Sequence, residues 1–509
     1  MTSQRNTFCL VVMVCAIIAA CNGTGTRSNI GSVADTDRFP EKPNIIYILA
    51  DDLGYGDIGA NGQKLIKTPN IDKLAQNGML FTQHYSGAPV CAPSRSTLIE
   101  GKHTGHTQVR GNGGAKTDAY LKKGTPTLGS VLQSAGYTTG TVGKWGLGSY
   151  NDEGAPNLQG MDYFYGFIDQ TLAHNYYPEY LWENGEKQFF DNGGISMHGK
   201  PASLKHVDIK NRPIEDSYKD FVGQDYAAYY MQDKALDFIR KNADEPFFLY
   251  YASLIPHAAL QIPDEELEPY EFDETPFSGG YYSPHPRPKA ARAAMISLLD
   301  RQVGEIVALT KQLGIAEKTL IVFTSDNGPA IESSSRADID FFNASAGFRG
   351  YKRSLTEGGI RAPFVAYWPG VISAGSRSNH VSAMWDTFPT AAALAGVDPP
   401  KDIDGISFLP TLLGRDEAQR QHNFMYWEFH EKGGDGAAQA VRLGDWKGVR
   451  PFAERGKTPF DQMPIMLFDL NADKYETTDI AALHPEIVKE IAAIMSARHR
   501  ATNPRWNFE

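Results

Sequence analysis

The sequence predicts an α/β protein: a mostly parallel sheet flanked by helices, followed by a smaller C-terminal α+β subdomain with an antiparallel sheet. Three observations predict it. Apolar runs of strand length stop abruptly at polar residues, and helical patterns with proline starts and glycine stops separate those runs. Beyond about Gly414 the strands become short and closely spaced.

Along the chain, Arg5 and the apolar run Cys9 to Ala20 come first. The run is too short for a bilayer, which takes about 20 apolar residues, and has the layout of a secretory signal. Ile18-Ala19-Ala20-Cys21 resembles a bacterial lipobox, so residues 1–20 are read as a lipoprotein signal peptide and Cys21 as the site of lipidation. A membrane anchor of several acyl chains is durable where one is marginal. The alternative is an ordinary cleaved signal. Residues 21–42, rich in Gly, Ser, Thr and Asp, have little to bury and read as a tether.

Pro43 to Ala50 is a continuous apolar run, the pattern of a strand buried on both faces, and ends in Asp51-Asp52-Leu53-Gly54. Tyr137 to Val142 leads into Gly143-Lys144-Trp145-Gly146, and Phe247 to Ala252 precedes Ile255-Pro256-His257. Thr319 to Thr324 ends in Ser325-Asp326-Asn327-Gly328. Thr68 to Gly78, Thr125 to Gly136 and Arg292 to Leu313 are the intervening helices. In such sheets ligands bind beyond the carboxyl ends of the strands, where all these polar residues fall. Phe424 to Phe429, Ala438 to Arg442, Trp446 to Arg450 and Met466 to Leu470 read as short antiparallel strands, and Pro485 to Arg500 as an amphipathic helix. The boundary between the main domain, 43–414, and the C-terminal subdomain, 415–509, is set there.

The chain is acidic, with a formal net charge of −11 and no basic cluster, which argues against nucleic acid as a partner. An anionic substrate must be caught by a few placed cations. Asp51, Asp52, Asp326 and Asn327 would offer only oxygen ligands, a set for calcium or magnesium. Taken singly, each pair is also ordinary turn chemistry.

Cys91 opens Cys91-Ala92-Pro93-Ser94-Arg95; the other cysteines, Cys9, Cys15 and Cys21, lie in or directly after the leader. A lone cysteine is often a small buried hydrophobe. Here Pro93 suits the first turn of a helix running to Gly101, which puts Cys91 at an N-terminus that favours an anion, with Arg95 one turn along. Nucleophile, cations and divalent metal together indicate transfer of an anionic group, phosphate or sulfate.

These residues resemble the signature of type I sulfatases, the formylglycine-dependent, arylsulfatase-like family of the alkaline phosphatase superfamily. Cys-x-Pro-Ser-Arg, Asp51-Asp52, Gly143-Lys144-Trp145, Pro256-His257, Asp326-Asn327-Gly328 and Gly350-Tyr351-Lys352 with Glu357-Gly358-Gly359-Ile360-Arg361-Ala362-Pro363 occur in the family's order over nearly the whole mature chain. The resemblance implies an alkaline-phosphatase-like sheet, with 43–414 as the catalytic domain. It also implies a sulfuric ester hydrolase in which a maturation enzyme oxidises Cys91 to formylglycine (3-oxoalanine). One hydroxyl of the hydrated aldehyde attacks sulfur, and the other expels sulfate from the sulfo-enzyme. Carried over, Asp51, Asp52, Asp326, Asn327 and residue 91 hold calcium rather than magnesium. Arg95 steadies the hydrate, Lys144, His257 and Lys352 hold sulfate, and His257 or Lys352 protonates the leaving oxygen.

One departure stands out: many members carry a histidine directly after Lys-Trp, where this chain has Gly146. His174, on a loop after an aromatic stretch, is the candidate for that role. His106, Arg110 and Asn112 are candidate substrate contacts. The loops and the exported, lipid-anchored setting point to a sulfated glycan, with a lean to sulfated galactose units of a polysaccharide. Alternatives are a phosphatase or phosphodiesterase of the same superfamily, and a surface lipoprotein that binds glycans without turnover.

Overall fold

The computed structural model describes residues 39–112, 119–195, 212–279, 281–331, 336–431, 437–451, 462–500, 506 and 508. The leader, Cys21 and most of the tether lie outside them. Ten strands form one sheet in the order Ser376–Ser378, Met79–Phe81, Phe364–Tyr367, Thr319–Ser325, Asn44–Ala50, Phe247–Ala252, Thr138–Lys144, Tyr163–Phe167, Tyr180–Glu183 and Glu186–Phe189. The five strands from Thr319 to Tyr163 in that order are mutually parallel. Phe364–Tyr367 runs against its neighbour Thr319–Ser325, and the last two strands form an antiparallel edge.

Apart from the half-buried Thr138, the expected apolar runs are buried because helices cover both faces of the sheet. One cluster packs Ile46, Ile48, Leu249 and Tyr251 against the helices Ala227–Lys241 and Pro288–Gln312. The opposite cluster packs Tyr47, Leu49, Phe248 and Tyr250 with Leu98, Ile99 and Phe388. Pattern reading started the long helix at Arg292, but it starts one turn earlier because Pro288 occupies the first turn, where a missing N–H costs nothing. Between Thr125 and Gly136 only Leu128–Ser134 is helical, capped by the Thr127 hydroxyl on the Ser130 N–H.

A separate four-stranded antiparallel sheet comprises Met425–Glu428, Ala437–Leu443, Trp446–Pro451 and Met466–Asp469. The helix Pro485–Arg498 packs on it through Ile491 and Met495. Lys447 of this sheet is buried, with its ammonium 2.9 Å from Glu357 and 3.0 Å from Glu476. Burial alone would raise the Glu357 carboxyl, but Lys447 and Arg361 hold it below the usual range. Lys447→Met would leave two buried carboxylates short of a counter-ion. It is expected to lower stability by about 3–5 kcal/mol, read from urea unfolding; an unchanged midpoint refutes the ion pairs as a structural tie.

Among the described residues no helix is long and apolar enough to cross a membrane.

Candidate active site

The Cys91 helix spans Cys91–Glu100 and is buried along its whole length, with Cys91 in its first turn and Gly101 stopping it in the left-handed region at φ +67°. Asn112 accepts a hydrogen bond from the Ala92 N–H at 3.0 Å, satisfying one free donor of that end. The thiol lies 3.1 Å from Asp51 Oδ1. Burial pushes the thiol's pKa up, and the charges of Asp326 and Asp51 push it further, against Lys144 and Lys352. Cysteine left unmodified here is held protonated, which makes it a poor nucleophile.

Strand ends deliver the carboxylates. Asp51 and Asp52 follow Asn44–Ala50, and Asp326 follows the adjacent parallel strand, with its N–H bonded to the Ala50 carbonyl. Asp52 adopts φ +67°, a conformation that a non-glycine residue occupies only when its surroundings enforce it. Its N–H donates to Asp326 Oδ1 at 3.1 Å.

Three cations meet these three carboxylates. Arg95 donates through Nε and Nη2 to Asp326 Oδ2 at 3.2 and 2.9 Å, and through Nη1 to the Lys144 carbonyl at 2.6 Å. Lys144 Nζ is 2.6 Å from Asp51 Oδ2, and Lys352 Nζ is 2.8 Å from Asp52 Oδ2. Burial would raise the Asp51 carboxyl, but Lys144, His257, Arg95 and Lys352 override it and hold it far below the usual range. Asp326 moves the other way: burial and the neighbouring Asp51 charge push it up against Arg95.

His257 completes the ring. Its Nδ1 lies 2.5 Å from the Ala258 carbonyl and therefore carries the proton. Nε2 faces Lys352 Nζ at 3.1 Å and Asp52 Oδ2 at 3.4 Å. His174 stacks on His257 with ring centroids 4.2 Å apart and planes 13° from parallel.

The oxygens of Asp51, Asp52 and Asn327 suit a hard divalent cation. One ligand atom from each of Asp51, Asp52, Cys91 and His257 lies within 4.8 Å of all the others. Asn327 spends its amide donors on Asp52 Oδ1 at 2.7 Å and the Gly328 carbonyl at 2.8 Å, while its buried Oδ1 has no partner among the described residues. An amide oxygen left over beside three carboxylates is a hard ligand waiting for a cation.

The model of the family described as sulfatase matches residues 43–397, and that of the C-terminal part of N-sulphoglucosamine sulphohydrolase matches 348–501. The chain belongs to the sulfatase family. It is 33 % identical to the N-acetylgalactosamine-6-sulfatase of Rattus norvegicus over 74 % of its own length and 66 % of that protein's. To the N-acetylgalactosamine-6-O-sulfatase of Bacteroides thetaiotaomicron it is 27 % identical, over 95 % and 96 %. The crystal structure of Ps i-CgsB in complex with k-i-k-neocarrahexaose superimposes with a TM-score of 0.70 at 26 % identity, covering 92 % of this chain and 95 % of that one.

Thus Asp51, Asp52, Cys91, Arg95, Lys144, His257, Asp326, Asn327 and Lys352 gather at one place, with His174 against them. Of the other candidates, Arg110 and His106 fall elsewhere. Arg110 is buried in an ion pair with Glu428 at 2.6 Å. His106 pairs with Asp404 at 2.9 Å, just beyond the far end of a helix about 15 Å long. Asn112 stands near Cys91, but its oxygen is committed to the helix cap. Motif reading missed Glu431, which accepts from the Asn112 N–H at 2.6 Å and pairs with Arg353 at 3.1 Å, bracing the segments on either side of Cys91. It also missed Tyr176, whose hydroxyl donates to the Leu254 and His257 carbonyls and fixes the His257 turn.

Proposed function

We propose that this chain is a sulfuric ester hydrolase that removes an O-sulfate from a sulfated carbohydrate, with sulfated galactose units as its substrate. The convergence of three buried carboxylates, Arg95, Lys144, Lys352 and His257 on the thiol of Cys91 is the observation that carries this reading. The lean to galactose is supported by the N-acetylgalactosamine sulfate named for the rat and Bacteroides relatives. The chain spans about two thirds of the rat protein.

Converted to formylglycine by a maturation enzyme, residue 91 supplies a hydrated aldehyde that can take up SO₃ on one hydroxyl and release sulfate through the other. Calcium held by Asp51, Asp52, Asp326 and Asn327 would withdraw charge from the sulfate oxygens. Arg95, fixed by Asp326 and the Lys144 carbonyl, steadies the hydrate at the helix N-terminus. Lys144, paired with Asp51, and Lys352, paired with Asp52, present ammonium groups to the sulfate. His257 has Nδ1 committed to a carbonyl, so a proton on Nε2, exchanged with Lys352, goes to the leaving oxygen; such an acid is typically worth about 10²–10⁴ in rate. His174, stacked on His257, keeps that ring oriented and stands in for the histidine that Gly146 replaces. Export as a lipoprotein anchored through Cys21 accords with the leader and is read by fatty-acid labelling that Cys21→Ala removes.

The deciding experiment co-expresses the chain with a formylglycine-generating enzyme and confirms the aldehyde at position 91 by peptide mass spectrometry. Sulfate released from N-acetylgalactosamine 6-sulfate and carrageenan oligosaccharides is then measured. The expected result is release that EGTA abolishes and calcium restores. Phosphate release from phosphate esters in its place supports the phosphatase alternative, and no release with the aldehyde present sinks the proposal.

A further inference from the structure

Gln170 is 6 % exposed, and neither its Nε2 nor its Oε1 has a hydrogen-bond partner among the described residues. A buried amide with both ends unspent carries the full desolvation cost of each. Its surroundings explain the placement. The loop is set by Asp169, whose Oδ1 accepts from the Thr171 and Leu172 N–H groups at 2.7 and 3.0 Å. It is tied down beyond by the His174 carbonyl, which accepts from the Ala259 N–H.

One end of this loop puts His174 on His257, and the other lays Gln170 against Gly146, two residues past Lys144. Gly146 sits at φ +74°, and a Cβ there would meet Gln170 Oε1 at 2.4 Å. The amide therefore fills the space that a side chain at 146, two residues past Lys144, would need, on the loop that carries His174 to His257.

We propose that Gln170 is a substrate-contacting specificity residue: its Nε2–H donates to an oxygen of the sulfate ester and its Oε1 accepts from a hydroxyl of the same sugar. The lysines and Arg95 offer only donors to the ligand, which suits sulfate. An amide adds the acceptor that a sugar hydroxyl requires, and a site built to pair with a hydroxyl discriminates strongly against an ester lacking it. This assignment rests on the sulfatase reading.

Gln170→Leu keeps the volume and removes both polar ends, so a structural role and a ligand role move in opposite directions. The expected result is a melting temperature equal to or above wild type. Alongside it, kcat/KM falls at least about tenfold on N-acetylgalactosamine 6-sulfate and less on p-nitrophenyl sulfate, which has no such hydroxyl. Wild-type kcat/KM on the sugar sulfate overturns the assignment, as does an equal loss on both esters or a loss that tracks a lower melting temperature. Wild-type protein that carries the aldehyde yet cleaves neither ester fails the sulfatase reading, and the assignment with it.

Discussion

Cys91→Ala is expected to fold normally and to lose sulfate release by at least about 10⁴-fold, the scale of removing a nucleophile from an otherwise intact site. The side chain it removes is small and wholly buried, so stability should fall by only about 1 kcal/mol. Wild-type protein made without the maturation enzyme is expected to be as inactive, because burial and the charges of Asp326 and Asp51 keep the thiol protonated. Cys91→Ser separates the two halves of the chemistry. Serine has one hydroxyl, so it can accept SO₃ but has no second hydroxyl to expel it. A burst of at most one equivalent of desulfated alcohol, no free sulfate and a stalled sulfo-enzyme are expected. Steady-state release from either variant near the wild-type rate, at matched melting temperature, would mean that residue 91 is not the acceptor.

Much of this site was readable because its carboxylates and Lys144 mark the ends of strands. A parallel strand buried on both faces is mostly apolar and uncharged, so Asp51 after Ala50 and Asp326 after Ser325 stand out as the first charged residues. The Cys91 helix was readable from Pro93 and Gly101 for the same local reason.

What sequence did not disclose is long-range. Nothing around Phe364–Tyr367 announces that it inserts antiparallel beside Thr319–Ser325, since a short apolar run looks the same in either direction. Arg110 looked like a loop residue free for substrate, but its partner Glu428 lies 318 positions away. Asn112 carries the polar atoms of a ligand contact, and only the fold shows its oxygen spent on the Ala92 N–H. Gln170 gave no signal at all. Its burial depends on Gly146 lacking a side chain, a property of two segments read together.

Asp326→Ala is expected to abolish the response to calcium and to lower activity by at least about 10²-fold, on the following grounds. The site sets Asp51, Asp52 and Asp326 against Arg95, Lys144 and Lys352, all buried, so its charges are balanced by pairs. The balance is uneven within the group. Asp51 is held low by its cations while Asp326, beside that charge, is pushed up, so these two carboxylates compete for the same stabilisation. A divalent ion held by these carboxylates would relieve that repulsion and add positive charge for the sulfate ester to offset. Calcium and sulfate should therefore bind more tightly together than apart, each raising the wild-type melting temperature more in the other's presence. Binding at about 100 times Kd is worth about 2.7 kcal/mol. Asp326→Ala removes a ligand and the carboxylate that Arg95 grips through two nitrogens, so its melting temperature should be flat with calcium. Asp404→Ala, a carboxylate paired with His103 and His106 away from Cys91, should keep the full calcium response. A calcium shift of wild-type size in Asp326→Ala would place the ion elsewhere and leave this residue as a brace for Arg95 alone.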